Sequence, residues 1–248
     1  MKYFLTQRQE YFANLVARIP GMKKLLSVPY EAYKRKLIQL RNKNFHKYAL
    51  EMLEQFDKCM TEHNYPYTLM FGTLLGAVRE KGFLKHDLDV DVAIWQDDYS
   101  DLILEDLKQY GFRLRHRFQV ENGKLGWEDT VVYKNVSLDI YHIYPPIEQY
   151  PYYTAMWSHL PGSVNTVDSM RKFGRIQAVR TGAPFQHDIQ RVPFETLLLP
   201  IPTNVHELLA FIYGKDYMIP NPEFRDEDCP VTRIPWETTN ITYQEWEG

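Results

Sequence analysis

Two carboxylates separated by one residue, Asp89 and Asp91, stand in the run Leu88-Asp89-Val90-Asp91-Val92-Ala93-Ile94-Trp95. In a strand, residues two apart share a face, so the two Asp side chains project together while Leu88, Val90, Val92 and Ile94 turn to the core. Paired carboxylates repel unless a cation sits between them. Oxygen donors without a Cys/His cluster suit Mg²⁺ or Mn²⁺, ions that commonly combine one or two carboxylates with substrate phosphates. Upstream, Gly72-Thr73-Leu74-Leu75-Gly76-Ala77-Val78-Arg79 begins with a glycine-bearing turn. Such a turn sets backbone N–H groups at a helix start, where phosphate binds well. A D-x-D pair alone is usually solvated charge, and a Gly-Thr alone is ordinary turn and cap chemistry. Close together and in this order, they predict a nucleotide-phosphate and metal site.

The elements that must hold this site are legible on either side. Tyr67 to Phe71 is a short β-favouring run, so the motif reads as strand, tight turn, short helix, strand. Before it, Leu37, Leu40, Phe45, Tyr48, Met52, Phe56 and Met60 recur near a 3.6-residue period between Tyr30 and His63, predicting one long helix or two abutting ones. After it, Asp97-Asp98 offers an N-cap for a helix over Tyr99 to Tyr110, which Gly111 stops. Phe112 to Val120, Lys124 to Tyr133 and Val136 to Tyr144 read as strands of an antiparallel meander, with Asn122-Gly123 a strong hairpin signal. Asp139 lies inside the last of these strands, where a charge is costly unless paired or metal-bound. Asn204 and Glu207 form a capping arrangement for a helix that ends at Gly214.

The residues Phe71 to Arg79, Lys81-Gly82-Phe83 and Asp89-Val90-Asp91 resemble the LicD/fukutin family of nucleotidyltransferase-fold phosphotransferases. Leu208-Leu209, Tyr213 to Met218 and Pro220 are similar to that family's C-terminal segment, so the likeness brackets residues 45–222. Many members carry a Trp and an unbroken acidic run where this chain has His86-Asp87-Leu88, and the pattern looks closer to the fukutin branch. The resemblance implies an α+β fold, a nucleotidyltransferase-like mixed β-sheet flanked by helices, with an N-terminal helical extension. It also implies a third carboxylate on a strand neighbouring the pair, a description Asp139 fits. The implied roles are Asp89, Asp91 and Asp139 as metal ligands and catalytic groups, with Asp139 accepting the proton of an attacking hydroxyl. Gly72, Thr73, Arg79, Lys81 and Asp87 form the substrate-binding set. The donor that the resemblance implies is a CDP-activated alcohol such as CDP-ribitol, CDP-glycerol or CDP-choline. It likewise implies a glycan or lipid-linked glycan as acceptor, CMP as by-product, and capsule, teichoic-acid-like polymer or glycan modification as the setting.

At 248 residues and 44% hydrophobic content, the chain can bury one sizeable core. The expected division is a basic helical extension over 1–44, the catalytic domain over 45–222 and an acidic tail over 223–248. Residues 1–50 carry eleven Lys/Arg against Glu10 and Glu31, a local +9 within a chain of net −3, so the rest carries −12. Leu5, Tyr11, Phe12, Leu15 and Val16 recur at helical spacing in that basic region, and Met22 to Val28 is a second apolar-basic piece. The favoured reading packs these on the catalytic domain with a solvated basic face; the other lays them on an anionic membrane surface. Cys59 and Cys229 exclude a disulfide framework and a cysteine-built zinc site. With no run of about 18 apolar residues, the expected location is cytoplasmic, with peripheral contact at the inner face of the membrane as the variant. Nucleic acid is a poor partner, because the basic residues cluster away from the carboxylates. Tyr150, Tyr152, Tyr153 and Trp157 could stack on a base or sugar, although such rings more often pack a loop. Arg171, Lys172, Arg175, Arg180 and Arg191 are further phosphate candidates, half or more of them surface charge, and His142 and His187 read as structural. A nucleotidyltransferase releasing pyrophosphate and a non-enzymatic scaffold are the competing readings.

Overall fold

The computed structural model describes residues 22–145, 152–163, 166–221, 223–224, 228–229, 231–235 and 240–246. The helical repeat expected before Pro20, and Tyr150, lie outside the described residues. Helix α1 (Met22–Glu62) leads into β1 (Thr68–Leu69), α2 (Phe71–Arg79), β2 (Asp89–Trp95), a single 3₁₀ turn (Gln96–Asp98) and α3 (Leu102–Gln109). Next come β3 (Arg113–Val120), β4 (Gly126–Tyr133), β5 (Val136–Ile143), β6 (Tyr152–Ser158), α4 (Thr166–Phe173) and β7 (Gln177–Ala183). The hairpin β8 (Ile189–Phe194) and β9 (Leu197–Pro202), helix α5 (Val205–Tyr213), β10 (Val231–Arg233) and β11 (Ile241–Glu245) complete the order.

Helix α1 is one continuous element that runs through residue 44, where the extension was expected to end. Its inner stripe, Phe45, Ala49, Met52, Phe56, Cys59 and Met60, is buried at i+3 and i+4 spacing. Leu40, placed on that stripe by its period, is 54% exposed. The α1 stripe, the motif residues Leu74, Leu75 and Ala77, and Val90, Val92, Leu138 and Ile140 of the sheet share one hydrophobic core.

The principal sheet is mixed, in the order β1-β2-β5-β4-β3-β11. The meander forms as its turns predict: Lys134 and Asn135 both have positive φ, 46° and 63°, and Asn122 and Gly123 adopt 54° and 83°. Strand β5 returns parallel to β2 while remaining antiparallel to β4. This parallel pairing joins the motif strand to the meander.

Several expected boundaries move. The strand before the motif is only two residues long, because α2 already begins at Phe71. The expected Asp97-Asp98 cap is itself a 3₁₀ turn, and α3 starts after Asp101, with Ser100 Oγ accepting from the Leu102 N–H at 3.3 Å. Asn204 precedes α5 without capping it; its amide donates to the Pro184 carbonyl at 2.7 Å. The acidic C-terminal stretch is tied into the fold. Its β11 pairs with β3 as an edge strand of the principal sheet, and its β10 pairs with β7.

A second sheet, β10-β7-β6, closes over the end of the principal sheet around Phe118, Val120, Ala155, Trp157, Ile176, Ala178 and Ile234. Gly126 permits this approach, since a Cβ there would fall 2.4 Å from the Ala155 Cβ. Tyr153 and Trp157 are buried on β6, so they pack a core, as the favoured reading had it, but from a strand where a loop was expected. No helix among the described residues is long and apolar enough to cross a membrane.

Candidate active site

Asp89 and Asp91 occupy the start of β2, and the parallel register sets Asp139 of β5 directly beside Asp91 and Ser137 beside Asp89. Neighbouring strands are about 4.8 Å apart, so one face carries three carboxylates on adjacent strands. The antiparallel register extends that face across the meander: Asp139 meets Thr130 of β4, Thr130 meets His116 of β3, and Glu128 lies two residues from Thr130. The Thr130 hydroxyl donates to Asp139 Oδ1. Trp157 Nε1, from the covering sheet, donates to Glu128 Oε1 at 3.1 Å.

The start of α2 fixes Asp91 from the other side. The Asp91 N–H donates to Thr73 Oγ1 at 2.9 Å, and the Asp91 carbonyl accepts from the Met70 N–H at 3.0 Å. Phe71 enters the helix with φ +42°, a conformation bulky side chains rarely adopt, and its ring packs edge-on against Tyr141 at 5.0 Å. That turn sets Gly72 over the carboxylates. A Cβ on Gly72 would lie 3.7 Å from Asp91 Oδ2 and 3.8 Å from Asp87 Oδ1, so the absent side chain leaves room above them. Asp87 is itself held by the Leu84 N–H, which donates to Oδ2 at 2.7 Å. Helix α1 anchors the same loop, with Asn42 Nδ2 donating to the carbonyls of Lys85 at 3.2 Å and Asp87 at 3.4 Å.

The electrostatics of this face follow from its crowding. Burial pushes the Asp91 carboxyl well above the usual range, and Asp89, Asp139, Asp87 and Glu128 add to the effect. Asp87 is raised to about 7, mainly by burial and partly by Asp89, against the opposing pull of the Leu84 N–H and Arg79. Tyr141 is raised by burial and by the same carboxylates. A bound cation relieves such a concentration of negative charge.

Two overlapping donor sets suit a metal ion. Asp89, Asp91 and Asp139 stand on one face of neighbouring strands and offer hard oxygens of the kind that suit Mg²⁺ or Mn²⁺, with Asp91 beside the space left by Gly72. Among the described residues, the trio whose ligand atoms come within 4.8 Å of one another is His116, Glu128 and Asp139, which shares Asp139 with the first set.

The remaining sequence candidates separate. Thr73 is 1% exposed and its hydroxyl accepts from the Asp91 backbone, so it organises the strand. Arg79 donates to Glu80 Oε1 at 3.1 Å and to the Tyr217 carbonyl at 3.4 Å, tying the motif helix to the segment after α5. Lys81 is exposed in a left-handed turn, and its carbonyl accepts from the Glu195 N–H at 2.7 Å. Arg171 and Lys172 pair with Asp168, and Arg191 pairs with Asp57. Arg180 lies over the Tyr153 ring and Arg175 is exposed. His142 is buried and bonds Gln96, and His187 stacks on Trp95, as structural residues do. His116, Glu128 and Thr130 were missed by the sequence reading. Glu128 and Thr130 do alternate on an expected strand, but only the register shows that they face Asp139.

Fold and site define an α+β domain with a mixed sheet, helices packed around it and a carboxylate-lined face at the start of its parallel strand pair. The model of the LicD/FKTN/FKRP nucleotidyltransferase domain matches residues 64–204, more than half of the chain, and the chain belongs to that family. Ribitol-5-phosphate transferase FKTN of Mus musculus is 26% identical over 183 residues, which are 71% of this chain and 34% of that protein. An uncharacterized protein of Rickettsia typhi is 30% identical over 104 residues, 41% of this chain and 33% of its own. Lipopolysaccharide cholinephosphotransferase LicD of Haemophilus influenzae is 37% identical over 55 residues, 22% of this chain and 21% of that protein. The chain thus spans about a third of the length of the first two relatives and about a fifth of the third.

Proposed function

We propose that this protein is a divalent-cation-dependent phosphotransferase that moves an alditol- or choline-phosphate group from a CDP-activated alcohol to a glycan hydroxyl and releases CMP. The observation that carries the reading is the Asp91–Asp139 register, which assembles on one face the three carboxylates that the sequence separates. Asp89, Asp91 and Asp139 are the residues to hold Mg²⁺ or Mn²⁺. When bound, the ion neutralises charge on the donor diphosphate and on the phosphoryl group in flight. The Gly72 backbone leaves space for phosphate beside Asp91 and Asp87. Asp139, oriented by the Thr130 hydroxyl, takes the proton of the acceptor hydroxyl. The acceptor oxygen forms a bond to the alcohol-bearing phosphorus, and the bond from that phosphorus to the bridging oxygen breaks. CMP leaves with that oxygen and its electron pair, and the product is a phosphodiester.

Among donors, CDP-ribitol is favoured. Whatever its end points, a match covering 71% of this chain includes Asp89, Asp91 and Asp139, and the relative so matched is a ribitol-5-phosphate transferase. The match to the cholinephosphotransferase covers only 22% of the chain. The acceptor is a glycan or lipid-linked glycan, and the setting is cell-surface polysaccharide or glycan modification.

The test is product analysis by mass spectrometry with CDP-ribitol, CDP-glycerol and CDP-choline, an oligosaccharide acceptor panel and Mn²⁺. CMP together with a ribitol-phosphate adduct is expected. Transfer of a nucleoside monophosphate from a nucleoside triphosphate, with pyrophosphate released, would replace this reading by nucleotidyl transfer.

A further inference from the structure

Strict alternation back along β3 from Phe118 and His116 would place Leu114 on the carboxylate face and Arg115 on the opposite one. The register breaks there. Leu114 pairs with Val131 and His116 with Thr130, so Arg115 is the extra residue of a bulge. Bulges re-aim side chains and occur beside active sites. Here the effect is specific: Arg115 Nη1 lies 3.4 Å from Ser137 Oγ, having reached past β4 to β5. Ser137 is the register partner of Asp89 and stands two residues from Asp139 on the same face.

Helix α1 brings a second guanidinium to this place. Arg41 precedes Asn42, whose amide holds the carbonyls of Lys85 and Asp87, so its position is fixed to the motif loop. Arg41 is partly buried. Burial is the largest influence on its ionisation, and Asp89, Arg115 and Asp139 are the charges that act on it. Arg41, next to the anchored Asn42, therefore shares the field of the carboxylate face with Arg115, which stands beside Ser137.

Charge balance gives the pair a purpose. Without metal, Arg41 offsets the negative charge of Asp89 and Asp139, and Arg115 reaches Ser137 between them on the same face. A divalent cation takes over those carboxylates, and the two arginines then need a new anion at the same edge. A diphosphate supplies two negative charges and oxygens that match the planar fork of each guanidinium. We infer that Arg41 and Arg115 form a two-pronged clamp for the diphosphate of the nucleotide-activated donor. This inference rests on the phosphotransferase reading and adds the residues that recognise its donor, neither of them in the motif.

The experiment is titration calorimetry with inorganic pyrophosphate and with CDP, both in Mn²⁺, on wild type, Arg41→Gln, Arg115→Gln, the two Lys variants and Arg113→Gln, an exposed neighbour, as control. The clamp predicts at least 10-fold weaker pyrophosphate and CDP binding in each Gln variant, an intermediate loss in the Lys variants and wild-type binding in the control. Donor KM rises in parallel, acceptor KM stays, and Mn²⁺ affinity without pyrophosphate is unchanged or tighter, because a positive charge has been removed. Wild-type pyrophosphate affinity in the folded Gln or Lys variants overturns the clamp, even where melting temperature falls, because the arginines would then only neutralise the face. Arginine-dependent pyrophosphate binding with no transfer from any CDP-alcohol would leave the clamp standing and remove the proposed reaction. Transfer with an unchanged donor KM in the variants would do the reverse.

Discussion

Asp129, buried, and Asp91, half-buried, are both desolvated carboxylates of the principal sheet, and they are treated in opposite ways. Asp129 lies on the face away from the motif Asp pair, 1% exposed, and receives two bonds from Arg117, Nε at 2.7 Å and Nη2 at 2.8 Å. The indole of Trp127 packs on that guanidinium at 4.5 Å. Burial raises the Asp129 carboxyl, and Arg117 pulls it back. Asp91 is likewise raised by desolvation, and Asp89, Asp139, Asp87 and Glu128 all raise it further. A fold built only for stability would satisfy both carboxylates as it satisfies Asp129. Under the proposed function, the contrast is between a structural ion pair and a face that would receive a cation.

Exchanging the chemistry of the two should give opposite results. Asp91→Asn should lower phosphotransfer by about 10³-fold, the scale of removing one electrostatic element from a preorganised site, while the metal-free protein melts at the same or a higher temperature. Parallel activity assays and thermal melts check both halves. Arg117→Met should do the reverse. Stranding Asp129 costs about 3–5 kcal/mol, read as a large fall in the denaturation midpoint, with activity per folded molecule retained at low temperature.

Smaller effects sharpen the comparison. Thr130→Val removes the hydroxyl that orients Asp139, a bond to a charged group worth about 1.5–3 kcal/mol, and should lower kcat by roughly 10- to 100-fold. The pH dependence follows from Asp87. Its folded value of about 7 lies above the ordinary carboxylate value of 3.8, so the folded state holds the proton more tightly. That contribution is fully present below the unfolded value and is lost as pH rises through the folded one. Metal-free wild type should therefore lose stability between pH 4 and 7 relative to Asp87→Asn, and Mn²⁺ should abolish the difference. Gly72→Ala places a methyl in contact with Asp91 and Asp87 and should raise donor KM a few-fold with little change in melting temperature.

Much of this arrangement could be read from the chain. The alternation around Asp89 and Asp91, the Asn122-Gly123 turn and the isolated charge of Asp139 are local signals, and each appears where its physics places it. The remainder depended on register. That β5 returns parallel to β2, so that Asp139 faces Asp91, is a long-range pairing no local period encodes. The Leu114/His116 bulge that redirects Arg115 is likewise invisible until β3 is laid against β4. The acidic C-terminal stretch misled because its composition suggested a tail. Pairing β11 against the open edge of β3 satisfies backbone groups that composition cannot count.

Under the proposed function, the carboxylate face of β2 and β5 binds a divalent cation through Asp91. The direct measurement is a Mn²⁺ titration followed by electron paramagnetic resonance on wild type, Asp91→Asn, His116→Ala and Asp129→Asn. The account predicts saturable binding in wild type, retained in folded Asp129→Asn and lost in Asp91→Asn. Binding that survives in Asp91→Asn and disappears in His116→Ala would move the ion to the His116, Glu128 and Asp139 trio and contradict the account.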